Sequence, residues 1–252
     1  MSLLKKIHPD QSLKELRWFD IGIVTLIMFG QFIVRSTQMY LASLSPSLST
    51  AVSETSTNTA SEGAAYSSNF TLQIILLALA IIYLWIRHFD FKQLPIRLKW
   101  SVFFWVPFIF AIMGLFADMV STLSGQYNYF SPQVLAFISP MAVIDKFMAL
   151  SPMAIAYGLL NGFYEEFFFL GLLTSVKDKY KWLVLLFSTI VRVSFHTYQG
   201  MLWALVNGVV FGLLYYFLYK YKVKNLLPFF LVHALADMFG SSLIYLLVNW
   251  NY

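Results

Sequence analysis

The chain has 252 residues, 59% of them hydrophobic and only 12% charged, against roughly 45–50% and about 25% in an ordinary soluble domain. A soluble fold of this length lacks the polar cover for so much apolar surface, which excludes a soluble enzyme, a disordered tail and a fibrous repeat. Cysteine is absent, so disulfides, thiolate metal sites and a cysteine nucleophile drop out together, and the net charge of +5 has to be read against membrane topology before nucleic acid.

A bilayer span takes about 20 largely apolar residues. Seven stretches qualify, at about 19–41, 69–86, 101–123, 148–174, 182–198, 201–219 and 225–248. The first follows a polar, partly amphipathic start with no small-residue cleavage site, so no cleaved signal peptide is expected. The loop at about 43–68 is rich in Ser, Thr and Ala with Glu54 and Glu62 as its only charges, a composition expected to give a mobile segment without a core. The basic stretch 87–100 interleaves Phe, Leu, Ile and Trp with its charges and is expected to lie along the inner membrane face. Tyr127, Tyr129, Phe130 and Pro132 place the loop at about 124–147 at the interface. There is no internal repeat and no Gly-rich phosphate loop.

Fourteen of the 17 Lys and Arg fall in alternate segments. Lys5, Lys6, Lys14 and Arg17 precede the first span, and Arg87, Lys92, Arg97 and Lys99 follow the second. Lys177, Lys179 and Lys181 follow the fourth, and Lys220, Lys222 and Lys224 the sixth. Arg35, Lys146 and Arg192 are the exceptions. The positive-inside rule then predicts an all-α, polytopic membrane bundle of about seven transmembrane helices, N-terminus inside and C-terminus outside. The basic charge is topological or faces lipid, and nucleic acid loses its support as a partner.

Charges inside spans are costly and are functional candidates by default. Spans four, five and seven hold Glu165 and Glu166, Arg192 and His196, His233 and Asp237. At about 1.5 Å of rise per residue these lie roughly 12–22 Å from the cytoplasmic edge, so their depths overlap. Arg192 with His196, and His233 with Asp237, are i, i+4 pairs on one face. The adjacent glutamates point about 100° apart, so one can face a reaction centre while a cation or hydrogen-bond donors hold the other. Asn161, four residues before Glu165, is expected on the same face. Taken singly, each histidine suits helix packing by hydrogen bonds, the glutamates suit a proton or cation site of a transporter, and the run FYEEFFFLGLL suits lipid-facing packing around a polar spot. The combination at one depth favours catalysis, with an ion-coupled transporter as the nearest rival.

In these residues the sequence resembles the CPBP intramembrane proteases (CAAX protease and bacteriocin-processing, also called the Abi family). That family shows Glu-Glu-x-x-x-Arg, then Phe-x-x-x-His, then His-x-x-x-Asn or Asp on successive helices. Here EEFFFLGLL supplies Glu165 and Glu166, RVSFHTYQG supplies His196, and HALAD supplies His233 and Asp237. The resemblance covers about 150–245. It divides the chain into an N-terminal three-helix membrane region, 1–147, and a CPBP/Abi-like catalytic core, 148–252. Two positions depart: Leu170 stands where the family has Arg, and Arg192 where it has Phe. The cation is therefore expected to have moved to the next helix, with Arg192 pairing with Glu166. Without that pair, a catalytically silent regulator or immunity protein is the better reading.

The resemblance implies an intramembrane endopeptidase and allows prenylated CAAX proteins, bacteriocin or pheromone precursors, and anchored surface proteins as substrates. The positive-inside pattern and short loops fit a bacterial plasma membrane, which disfavours prenyl processing and leaves a small secreted-peptide precursor or membrane-anchored protein as the expected substrate. With no cysteine and no serine in a nucleophile–base arrangement, covalent catalysis is disfavoured. Glu165 with His196 can hold and deprotonate a water, while His233 and Asp237 orient the carbonyl and stabilise the tetrahedral intermediate. Equally, Glu165, His196 and His233 can bind zinc and leave a position for water. Both schemes stay open. The expected partners are membrane lipid and a peptide or membrane-protein substrate.

Overall fold

In hydrocarbon the backbone must satisfy its own polar groups, and a helix does so within one segment. The computed structural model describes residues 12–44 and 59–249. Among them no strand forms beyond two isolated bridge pairs, Leu13 with Phe89 and Ile138 with Val248. The helices are α1 (Trp18–Ser43), α2 (Thr59–Ile86), α3 (Trp100–Leu123), α4 (Pro132–Leu135), α5 (Met141–Ala149), α6 (Pro152–Leu172), α7 (Lys181–His196), α8 (Met201–Val223), α9 (Leu227–Phe239) and α10 (Leu243–Leu247). Four of them, α1, α2, α3 and α8, are long and apolar enough to cross a bilayer. The pair α5 and α6, bent by 101° at their break, makes a fifth if counted as one span. The protein is an all-α, polytopic membrane protein.

Three expected spans come out differently. The stretch 148–174 breaks at Leu150–Ser151, where the Ser151 hydroxyl caps the Ala154 N–H at 3.1 Å and Pro152 starts α6. The fifth is α7, 16 residues or about 24 Å long. The stretch 225–248 breaks at Gly240, whose φ of +78° needs a residue without a side chain. Mean apolarity does not separate one long helix from two short ones across a turn. The expected Ser/Thr-rich loop also shortens, because residues 59–68 belong to α2. Its remainder at 45–58 lies outside the described residues, as do Lys5 and Lys6.

The chain forms two compact units, each from two stretches: Met1–Ile96 with Tyr164–Leu226, and Arg97–Phe163 with Leu227–Tyr252. In the first, α1 packs along α7 and α2, and α7 packs along α8. Phe29 is the hub, with ring centroids 4.8 Å from Phe168, 4.9 Å from Phe195, 5.1 Å from Phe169 and 5.6 Å from Tyr164. Phe167, Phe168 and Phe169 are all buried. This corrects the lipid-facing reading of that run: the three rings are buried, and an aromatic cluster around Phe29 takes up Phe168 and Phe169. In the second unit, α3 packs on α9 and α10. A Cβ at Gly114 would lie 2.7 Å from the Leu243 nitrogen, so α10 rests on bare backbone there.

Candidate active site

Glu165 and Glu166 stand where α6 passes from α to π winding, which occupies Phe167–Leu172. A π turn inserts one residue into an α-helix and so re-aims the side chains beside it. Both glutamates are buried, Glu166 completely. A bare carboxylate there would be strongly destabilising, and the first unit supplies its cation. The Arg192 guanidinium donates to Glu166 Oε2 at 2.6 Å, with both side chains buried. The expected pair is present.

Two neighbours shape this pair. The guanidinium carbon of Arg192 lies 3.9 Å from the Phe169 ring centroid, a stacked cation–π contact. A Cβ at Gly212 on α8 would lie 3.1 Å from Arg192 Cδ and 3.5 Å from Nε. Arg192 thus runs between a ring and a backbone that carries no side chain. One turn further along α7, His196 Nδ1 is 2.8 Å from the Arg192 carbonyl oxygen. A carbonyl only accepts, so Nδ1 carries the hydrogen, and Nε2 is the atom with the lone pair in neutral His196. His196 ends α7, and the Ser36 hydroxyl oxygen of α1 steadies the turn beyond it: it lies 2.9 Å from Thr197 Oγ1 and accepts the Tyr198 N–H at 2.9 Å.

The second unit holds the other expected residues. His233 Nε2 and Asp237 Oδ1 share one face of α9 at 3.9 Å, beyond hydrogen-bond length. Asn161 Nδ2 donates to Asp237 Oδ2 at 2.8 Å, tying the N-terminal half of α6 to α9. That approach depends on Gly162, where a Cβ would lie 2.8 Å from the Ala234 nitrogen.

Sequence reasoning passed over two buried acids, Asp20 and Asp118. Asp20 on α1 accepts from Arg87 Nε at 2.6 Å and Tyr83 Oη at 2.7 Å, and Asp20 and Arg87 are almost wholly buried. Arg87 therefore belongs to an internal pair and not to a free basic loop. Asp118 on α3 accepts the Ile244 N–H at 2.9 Å and the Ser242 hydroxyl, capping α10. The available signal was an acid inside an apolar run, the same signal that singled out Glu165. Lys146, an exception to the charge segregation, donates to the Val248 carbonyl at 2.5 Å and lies 4.8 Å from the Tyr245 ring centroid.

Residues 147–239 match the family described as type II CAAX prenyl endopeptidase Rce1-like. This segment is a CAAX-protease (CPBP) family domain. The CPBP segment runs from α5 to the end of α9 and includes Glu165, Glu166, Arg192, His196, His233 and Asp237. Comparisons with curated proteins and with solved structures found no match.

As a donor set for a metal, one carboxylate and two imidazoles suit zinc. His196 fits that chemistry in a specific way. Its Nδ1 hydrogen is held by a backbone carbonyl, the usual support for a histidine that ligates through Nε2. Of the two carboxylates, Glu166 already has one oxygen, Oε2, paired with Arg192.

Proposed function

We propose that the protein is an intramembrane endopeptidase that hydrolyses a peptide bond in a small secreted-peptide precursor or a membrane-anchored protein. The observation that carries this reading is the buried Glu166–Arg192 pair beside Glu165. It divides the labour between adjacent carboxylates: Glu166 is neutralised and held, and Glu165 serves as the base. Glu165 takes a proton from the attacking water as the water oxygen bonds to the scissile carbonyl carbon. His196, neutral with its lone pair on Nε2, accepts a hydrogen bond from that water and orients it, and Glu165 passes the proton it has taken to the leaving amine as the C–N bond breaks. The sequence order of the family pattern assigns His233 and Asp237 to the carbonyl, where a donor stabilises the oxyanion. In the alternative scheme Glu165, His196 and His233 would hold a zinc ion in place of Glu165 acting as the base, and the ion would lower the pKa of a bound water to about 7. The segregation of basic residues and the short loops support a bacterial plasma membrane as the location.

The test is cleavage of a membrane-peptide substrate by the purified protein in liposomes. Glu165→Ala, His196→Ala and His233→Ala should each lower the rate at least about 100-fold, the usual contribution of a positioned acid or base, while the protein still accumulates. Full cleavage by the Glu165 variant ends the assignment. Metal content gives an independent readout. A resident zinc should be present at about one equivalent and lost in the His196 and His233 variants. A metal-free preparation with full, chelator-resistant activity leaves the Glu165–His196 water scheme alone.

A further inference from the structure

The first unit contains an open cavity of about 400 Å³ lined by Lys14, Lys220, Lys224, Glu15, Thr174 and Ser175, among others. Its size is that of a small-molecule site. Its walls are fixed by backbone hydrogen bonds, Leu16 N–H to Ser175 O at 2.7 Å and Leu226 N–H to Pro95 O at 2.8 Å. Three ammonium groups and one carboxylate border it, and among the described residues none of the four has an ion-pair partner. Like charges gathered around one concavity repel each other until an anion enters.

Lys224 adds a second observation. It adopts the left-handed conformation, φ 48° and ψ 34°, at the end of α8, where glycine or asparagine is the usual choice. Among the described residues only His88 is another non-glycine with positive φ. A lysine held against its backbone preference points to a use for the side chain.

The cavity's level follows from what borders it. Lys14 precedes α1, Gln93 and Pro95 follow α2, Thr174 and Ser175 follow α6, and Lys220 and Lys224 close α8. Helices long enough to cross the hydrocarbon end at the headgroups. We propose that this cavity binds the phosphate of an anionic lipid headgroup, with Lys14, Lys220 and Lys224 as its cations. The site is separate from Glu165 and does not depend on the protease reading.

The experiment is lipid retention by native mass spectrometry. The full chain is taken from vesicles of phosphatidylcholine mixed with phosphatidylglycerol. The wild type should retain phosphatidylglycerol selectively. A lysine that pairs with the bound headgroup phosphate contributes about 1 kcal/mol, or about fivefold, so Lys220→Gln and Lys224→Gln should each lower retention about fivefold. Lys222→Gln is the control, since Lys222 belongs to the same basic run but does not line the cavity. Lys224→Gly separates ligand from fold. It should be at least as thermally stable as the wild type, because glycine relieves the left-handed conformation, yet lose the same fivefold. Equal retention in all variants, or an equal loss in Lys222→Gln, overturns the site. Displacement of phosphatidylglycerol by soluble glycerol phosphate at matched concentration overturns the lipid assignment.

Discussion

Arg192 carries a charge into surroundings with little water to hydrate it, and each of its neighbours answers that charge. Glu166 neutralises it at 2.6 Å, Phe169 covers its face at 3.9 Å, and Gly212 leaves room for its stem. Removing one partner of a buried pair is far costlier than the pair's net worth, about 3–5 kcal/mol, because the other charge is stranded. Arg192→Phe should therefore lower cleavage by two orders of magnitude or more, even though phenylalanine is the residue of the family pattern at that position. Adding Leu170→Arg returns a cation to the glutamate helix, four residues after Glu166, and should recover part of the loss. Measuring both single variants and the double variant gives the coupling directly. Full activity in Arg192→Phe alone would show that Glu166 needs no cation, and the base assignment built on the pair would fall with it.

The helices approach each other through missing side chains. At Gly208 on α8 a Cβ would lie 2.7 Å from the Val193 nitrogen on α7, so the two backbones meet with nothing between them. Gly208→Ala must push the helices apart and should destabilise the fold by about 1–3 kcal/mol, seen as a lower midpoint of thermal unfolding in detergent. Gly212→Ala presses on Arg192 and not on backbone. It should cost less stability than Gly208→Ala and proportionally more activity, because the displaced group is the one that holds Glu166. The opposite ordering would mean that α8 is only a packing partner of α7. Both glycines flank or fall within the π turn Val206–Phe211. With the π turn at Phe167–Leu172, irregular winding thus sits on both helices that frame Arg192.

At the scale of the whole chain, the segregation of fourteen of 17 basic residues is a statement about orientation. Reporter fusions after residues 60 and 252 should report the outside, and fusions after 95, 179 and 222 the cytoplasm. An external result at 179 would reverse the helix that carries the glutamates and break the common-depth argument for Glu165, His196 and His233.

The ionisable residues of the candidate site were legible as single letters, because a charge inside an apolar run is costly anywhere and stands out without a structure. The pairing of Arg192 with Glu166 was legible too, since the family pattern has a cation after the glutamates and this chain has one only on the next helix. That the apolar runs are helical followed from hydropathy and run length. What the tertiary structure decided is where long apolar runs stop. Gly240 and Ser151 end helices that composition would continue, since a capping hydroxyl or a left-handed glycine is a local geometric event that average apolarity does not register. It also decided which buried acids are structural. Asp20 and Asp118 are as buried as Glu166, and only their partners, Arg87 with Tyr83 and the start of α10, show that they hold the fold together. Burial raises the cost of a charge wherever it occurs; the groups that offset that cost are brought from distant parts of the chain, and only folding assembles them.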